Sequence, residues 1–218
     1  MQRRTVLKAP VVLGAGALLG GCGAPAPSPG APAPSTPSAS SASASRALLA
    51  YFSRAGENYY YGDTRVLEVG NTEVVAGMIS AAVTVDVFRI EAAEPYPDSY
   101  RATVERNVRE QNDEARPAIT GTLPDVEAYD TVLLGSGIWN VRPPMIMRTF
   151  VESVDLSGKT ILPFVTYAVS GLGRTVEDYT RLCPRSTIGE GLAVRGEEAR
   201  GARAEVEAWL RTTELLSR

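Results

Sequence analysis

From residue 46 onward, short apolar runs alternate with segments of helical periodicity, and this alternation restricts the chain to a small set of folds. Residues 46–53 (RALLAYFS) are an apolar run ending in small polar residues, as expected of a parallel strand buried on both faces. Residues 71–83 follow with a polar start, an early Glu73 and apolar residues at helical spacing. The pattern then repeats as a strand over 85–90, a charged amphipathic helix over 99–116, a strand over 131–135 and a helix over 144–154 opened by Pro144. A strand over 160–167, a helix over 173–182, a weaker strand over 188–194 and a closing helix over 197–216 complete it, with Trp209 and Leu210 on the apolar side of the last helix. Five strands alternating with five helices predict an α/β fold: an open parallel sheet, right-handed crossovers and helices on both faces. Ligands in such sheets sit beyond the carboxyl ends of the strands, so the loops after Ser53, Gly135 and Tyr167 are the ones to inspect.

Residues 1–45 cannot contribute to that core. Met1 to Lys8 carries Arg3, Arg4 and Lys8, and residues 11–20 form an uncharged apolar run too short to span a bilayer, so residues 1–21 read as a signal peptide. Arg3-Arg4-Thr5-Val6-Leu7-Lys8 resembles a twin-arginine export signal, and Leu19-Gly20-Gly21-Cys22 resembles a bacterial lipobox. The resemblance implies that Cys22 becomes the lipidated first residue of an exported protein on the extracytoplasmic face of the cell membrane. The alternative is a buried cysteine in an N-terminal strand. After Cys22, the stretch to residue 45 contains only Ala, Pro, Ser, Gly and Thr, which cannot bury a core and read as an extended linker (22–45) ahead of a folded domain (46–218).

Charge and composition exclude several function classes. Residues 1–45 hold three basic and no acidic residues, which leaves 19 Lys+Arg against 25 Asp+Glu, a net −6, for the folded domain. A nucleic-acid partner is not expected of such a surface. The only cysteine besides Cys22 is Cys183, so lipidation of Cys22 rules out an intramolecular disulfide. The chain has no histidine, which removes Ser-His-Asp hydrolysis, His-ligated zinc and histidine acid–base chemistry. Cofactor chemistry and simple binding remain.

The three loops carry the specific signal. The first reads Ser53-Arg54-Ala55-Gly56-Glu57-Asn58, passes through Tyr59-Tyr60-Tyr61, and reaches Gly70-Asn71-Thr72 at a helix start. It resembles the phosphate loop of the flavodoxin family, in its short bacterial flavodoxin-like branch, where a Ser-Arg-Thr-Gly-Asn-Thr loop binds the FMN phosphate; the similarity spans about residues 46–196. Backbone N–H groups at a helix N-terminus with hydroxyl and amide side chains suit a dianion without any basic residue. The chain departs from the family by an insertion, so the phosphate site reads as composite: Ser53 and Arg54 from the strand end, Gly70, Asn71 and Thr72 from the helix start. Glu57, repulsive to phosphate, and Asn58 fall in the inserted flap. Taken alone, Asn71 or Thr72 would be an ordinary helix cap.

The second loop, Gly135-Ser136-Gly137-Ile138-Trp139-Asn140-Val141, resembles the family's Gly-x-Pro-Ile-Trp-Trp-Gly, with Asn140 and Val141 replacing the last two residues. The resemblance implies that Trp139 stacks on the isoalloxazine and that backbone groups of Ser136, Gly137, Ile138 and Asn140 meet its polar edge; the alternative is a core tryptophan. The third loop, Thr166-Tyr167-Ala168-Val169-Ser170-Gly171-Leu172-Gly173, resembles Thr-x-Gly-Gly-Ser-Gly-x-Gly. Thr166, Tyr167, Ser170, Gly171 and Gly173 are its candidate flavin contacts, against the alternative of a plain strand-to-helix turn.

These resemblances imply a flavodoxin-like three-layer sandwich, strand order 2-1-3-4-5, that holds FMN without a covalent bond. The flavin rather than a side chain would carry the electrons, to or from a redox partner protein or a small-molecule acceptor. An NAD(P)H-dependent quinone reductase and a flavin-free surface binding module are the competing readings.

Overall fold

The computed structural model describes residues 46–216, so the signal peptide, Cys22 and the linker lie outside the described residues. The first strand, β1 (Ala47–Phe52), is buried along its whole length, because its neighbours pair on both sides and helices cover both faces. Its side chains alternate between two cores. Ala47, Leu49 and Tyr51 face one cluster, and Leu48, Ala50 and Phe52 face the other.

The remaining elements are a hairpin of β2 (Gly56–Tyr60) and β3 (Asp63–Leu67), then α1 (Asn71–Ala82), β4 (Asp86–Ile90), α2 (Tyr100–Asn112), β5 (Thr131–Gly137), α3 (Met145–Ser153), β6 (Thr160–Tyr167), α4 (Thr175–Leu182), β7 (Thr187–Ile188), β8 (Leu192–Arg195) and α5 (Arg203–Thr212). The main sheet runs β4-β1-β5-β6, with β7 and β8 both pairing β6, and every pairing is parallel. With β7 and β8 counted as one interrupted strand, this is the expected order 2-1-3-4-5 of a flavodoxin-like sandwich. The cluster on one face joins α1 and α5 through Val75, Ile79, Val206 and Leu210. The opposite cluster joins α3 and α4 through Ile146, Met147, Phe150 and Tyr179.

Three elements differ from the sequence reading. The fifth strand is broken at Gly189-Glu190-Gly191, where a Cβ on Gly189 would lie 2.5 Å from Leu162 Cδ2 and one on Gly191 2.8 Å from Leu172 Cδ2. Backbone passes this close to the neighbouring side chains only without a Cβ. The closing helix starts later than expected, because Gly196–Gly201 forms a 3-10 segment before α5 begins. The insertion after β1 is an ordered hairpin. Its two-residue turn places Tyr61 (φ 48°) and Gly62 (φ 93°) in the left-handed region, the geometry of a tight antiparallel reversal.

Candidate functional site

A cleft of about 380 Å³ opens at the carboxyl edge of the sheet, and the ends of β1, β5 and β6 all reach it. Its floor is set by the start of α1. Gly70 caps this helix with no side-chain hydrogen bond, and the helix takes help from β1 instead: Glu73 N donates to Ser53 Oγ at 3.1 Å. Gly70 must be glycine for this approach, since a Cβ there would lie 2.3 Å from Ser53 Oγ. The N–H groups of Asn71 and Thr72, the first residues of the helix, have no hydrogen-bond acceptor among the described residues.

Beside them, Thr72 Oγ1 and Thr166 Oγ1 lie 2.8 Å apart, both buried, which ties the α1 start to the end of β6. Two hydroxyls hold two protons and their mutual bond uses one, so the other is free for a ligand. Free amides at a helix start, together with hydroxyls of Ser53, Thr72 and Thr166, form a pocket suited to an anion.

Arg54 lines the cleft, yet its guanidinium is turned to backbone. It donates to the carbonyls of Pro97 (3.0 Å), Asp98 (3.1 Å) and Glu57. Burial holds its pKa below the usual arginine value, opposed by the charges of Asp98 and Glu57. The residue therefore clips the hairpin to the segment before α2. Glu57 completes the clip: one oxygen accepts from Tyr100 N at 2.8 Å at the α2 start, the other from Thr64 Oγ1 at 3.0 Å. Asn58 donates to the carbonyls of Gly56 and Arg54, bracing the same loop.

The cleft also has aromatic and apolar lining. Trp139 packs edge-to-face on Phe52 (5.6 Å between centroids) and Tyr96 (5.0 Å) while also lining the cleft, so it belongs to core and site at once. Tyr96 is itself held by Glu110 Oε2 at 2.8 Å, and Arg106 stands 4.0 Å over its ring. Burial and the Glu110 carboxylate push the Tyr96 hydroxyl far above its ordinary pKa, so it stays protonated and donates. Asn140 (φ 50°) and Val141 (φ 61°) form a tight turn closed by paired bonds between Trp139 and Arg142. A valine in the left-handed region is strained. Glycine, which the resembling family pattern carries at this position, would adopt that conformation without strain.

Of the residues singled out from the sequence, Ser53, Arg54, Asn71, Thr72, Gly137, Ile138, Trp139, Asn140, Thr166 and Tyr167 line the cleft. Ser136, Gly70, Ser170, Gly171 and Gly173 do not. The Ser136 side chain is buried inside the sheet, shielded from the cleft. Gly70 lies beneath Ser53, and Gly173 packs on the Val141 carbonyl, 2.2 Å from where its own Cβ would be. Ser170 and Gly171 form the turn that precedes Gly173 and leads into α4. These glycines shape the loops rather than face the cleft.

The sequence reading missed the wall contributed by α2, where Tyr100, Val104 and Val108 on one strip and Thr103 and Asn107 on the next face the cleft. Their spacing of four was visible in the sequence, although Val104 and Val108 read as surface positions of a charged helix. It also missed Gly196 and Glu197 after β8, for which no local signal exists.

A family model for flavodoxins matches residues 65–213, well over half of the chain. The chain belongs to the flavodoxin family. The match begins inside β3, so the inserted hairpin separates it from β1. Among solved structures, a Bacteroides eggerthii protein assigned as a flavoprotein is 30% identical, with 77% of this chain and 97% of that one covered and a TM-score of 0.62. A Bacteroides uniformis protein of the same assignment is 27% identical, covering 77% and 98%, also at 0.62. A Lactobacillus acidophilus flavoprotein solved in complex with FMN shares the fold at 17% identity, covering 72% and 98%, with a TM-score of 0.53. No curated protein matches the chain. Within this flavodoxin fold, the anion pocket and the aromatic side chains line one cleft, and both fit a phosphorylated flavin.

Proposed function

We propose that this flavodoxin-family domain binds FMN noncovalently and serves electron transfer or flavin-dependent reduction outside the cytoplasmic membrane, tethered there through Cys22. The observation that carries the cofactor reading is the free α1 N-terminus beside the Thr72–Thr166 hydroxyl pair, in a cleft that Trp139 and Tyr167 also line. Asn71 and Thr72 amides with the Ser53 and Thr72 hydroxyls would hold the phosphate, and Trp139 and Tyr167 would flank the ring. The bound flavin supplies the redox chemistry. The protein supplies placement, exclusion of water and a dry aromatic surround. The export and anchoring reading is supported by the Arg3-Arg4 and Leu19-to-Cys22 motifs of the sequence.

The electron acceptor or donor is a small molecule or a redox partner protein, and Val104 and Val108, exposed on α2 where it lines the cleft, give either one an apolar contact beside the flavin. The direct test is the colour and flavin content of the purified protein. FMN uptake at micromolar concentration is expected, and a colourless protein that binds none overturns the flavoprotein reading. Cell fractionation of wild type against Cys22→Ala tests the tether. The wild type is expected with the membrane and the variant in the soluble fraction; equal partition overturns it.

A further inference from the structure

Asn107 is a buried polar side chain of α2, only 3% exposed, that also lines the cleft. Its orientation is set by a chain of amides. The Trp139 carbonyl can only accept, so Gln111 turns its nitrogen there, at 3.0 Å, and its oxygen to Asn140 Nδ2, at 2.8 Å. The second hydrogen on that nitrogen reaches Asn107 Oδ1 at 3.3 Å, a contact between residues four apart on the helix. Asn107 is thereby left with its own Nδ2 unspent. That nitrogen donates to no acceptor among the described residues, yet it is not one of the polar atoms sealed from solvent, so the cleft is the space open to it. A buried amide donor without an acceptor is costly, and a ligand that supplies the acceptor removes the cost.

The surroundings of this donor select the acceptor. Thr103, one turn earlier, has spent its hydroxyl on the carbonyls of Pro97 (2.8 Å) and Ser99 (2.9 Å), while Val104, Val108 and Trp139 offer apolar and aromatic surface to the same cleft. A phosphate or a hydroxylated chain would leave that surface bare. A flat ring covers it and carries carbonyl oxygens at its edge. We infer that Asn107 donates through Nδ2 to a carbonyl oxygen at the edge of a flat ring seated against α2. The inference rests on the FMN reading, and the ring is the flavin's own or that of a quinone beside it. Gln111 is then a positioning residue, which keeps the Asn107 donor turned to the cleft.

Asn107→Asp and Asn107→Ala in the full chain, titrated by flavin fluorescence quenching with FMN, riboflavin and lumiflavin, test it. Aspartate keeps an oxygen for Gln111 and loses only the donor, whereas alanine loses both. For a flavin carbonyl, both variants should weaken all three flavins by about tenfold or more, lumiflavin included, since it is the bare ring. For a quinone carbonyl, flavin affinity should hold, while the reduced protein, passing two electrons and two protons to para-benzoquinone, should need about tenfold more quinone to reach half its maximal rate. An aspartate variant close to wild type beside a weakened alanine variant means that Asn107 only braces Gln111, and overturns the inference. Loss confined to FMN and riboflavin places the donor on the polyol or the phosphate and overturns it too, as does no change in either assay. A wild type that binds none of the three flavins sinks the FMN reading itself and takes this inference with it. Where thermal unfolding shows that the aspartate variant does not fold, Gln111→Ala, which removes the brace alone, replaces it: a cost equal to that of Asn107→Ala overturns the inference, and a smaller cost upholds it.

Discussion

The hydroxyls of Thr72 and Thr166 meet at 2.8 Å although 94 positions separate them, and this contact joins the first helix of the fold to the end of its fourth main strand. It also fixes where the free amides of α1 point. Thr72→Ala should therefore weaken FMN more than riboflavin, by about 1–3 kcal/mol in the phosphate-dependent part. Isothermal titration with both flavins checks it, and an equal loss for both would show that only the helix start had been destabilised.

Asn58→Ala should leave the ratio of FMN to riboflavin affinity near the wild-type value. It lines the cleft, but its amide is engaged by the carbonyls of Gly56 and Arg54 within the hairpin base. The expected effect is faster proteolytic cleavage in the hairpin. A selective loss of FMN would move the phosphate site onto Ser53 to Asn58.

Val141→Gly should raise stability by about 1 kcal/mol, because glycine adopts the observed positive φ without strain and the half-exposed valine loses little packing. Chemical denaturation measures it. A lower midpoint would mean that the valine side chain contributes more through contact than its conformation costs.

Gly135→Ala should destabilise by roughly 1–3 kcal/mol, since its Cβ would fall 2.0 Å from Phe164 Cζ on the paired strand. Phe164→Leu in the same background should recover part of the loss. If the double variant is no better than the single one, the clash is not the cause.

Stability should fall as pH rises through the alkaline range. Burial pushes the Cys183 thiol up to about 11 from an ordinary 9.0. A group with a raised native pKa contributes stability that is whole below the unfolded value and is lost as pH climbs through the native one. The loss should run from about pH 9 to 11, with the buried Tyr96 and Tyr179 adding to it above their ordinary value of 10.0. Cys183→Ala should flatten the lower part of that decline in pH-dependent denaturation curves.

Much of the fold was legible because buried parallel strands and amphipathic helices announce themselves locally. The run ALLAYF over 47–52 can only be a strand covered on both faces, and the spacing in NTEVVAGMISAA over 71–82 can only cover one of them. The hairpin was less legible. Tyr61-Gly62 is a turn signal, yet β2 and β3 mix polar and apolar residues, bury neither face and carry no inside–outside alternation for a reader to follow. The split fifth strand was hidden for a different reason, because the contacts that require Gly189 and Gly191 come from Leu162 and Leu172, far away in the chain.

By itself, the sequence determined the main alternation of strands and helices, its order and the three loops at the strand ends, because each of these depends on residues close together along the chain. Tertiary structure decided which side chains face the ligand. Arg54 is turned to the carbonyls of Pro97 and Asp98, and Trp139 packs against Phe52 and Tyr96 while lining the cleft. Glu197 reaches the cleft and the turn of a hairpin 136 positions earlier. Side-chain direction is settled by partners brought near only when the sheet closes, so no local pattern could record it.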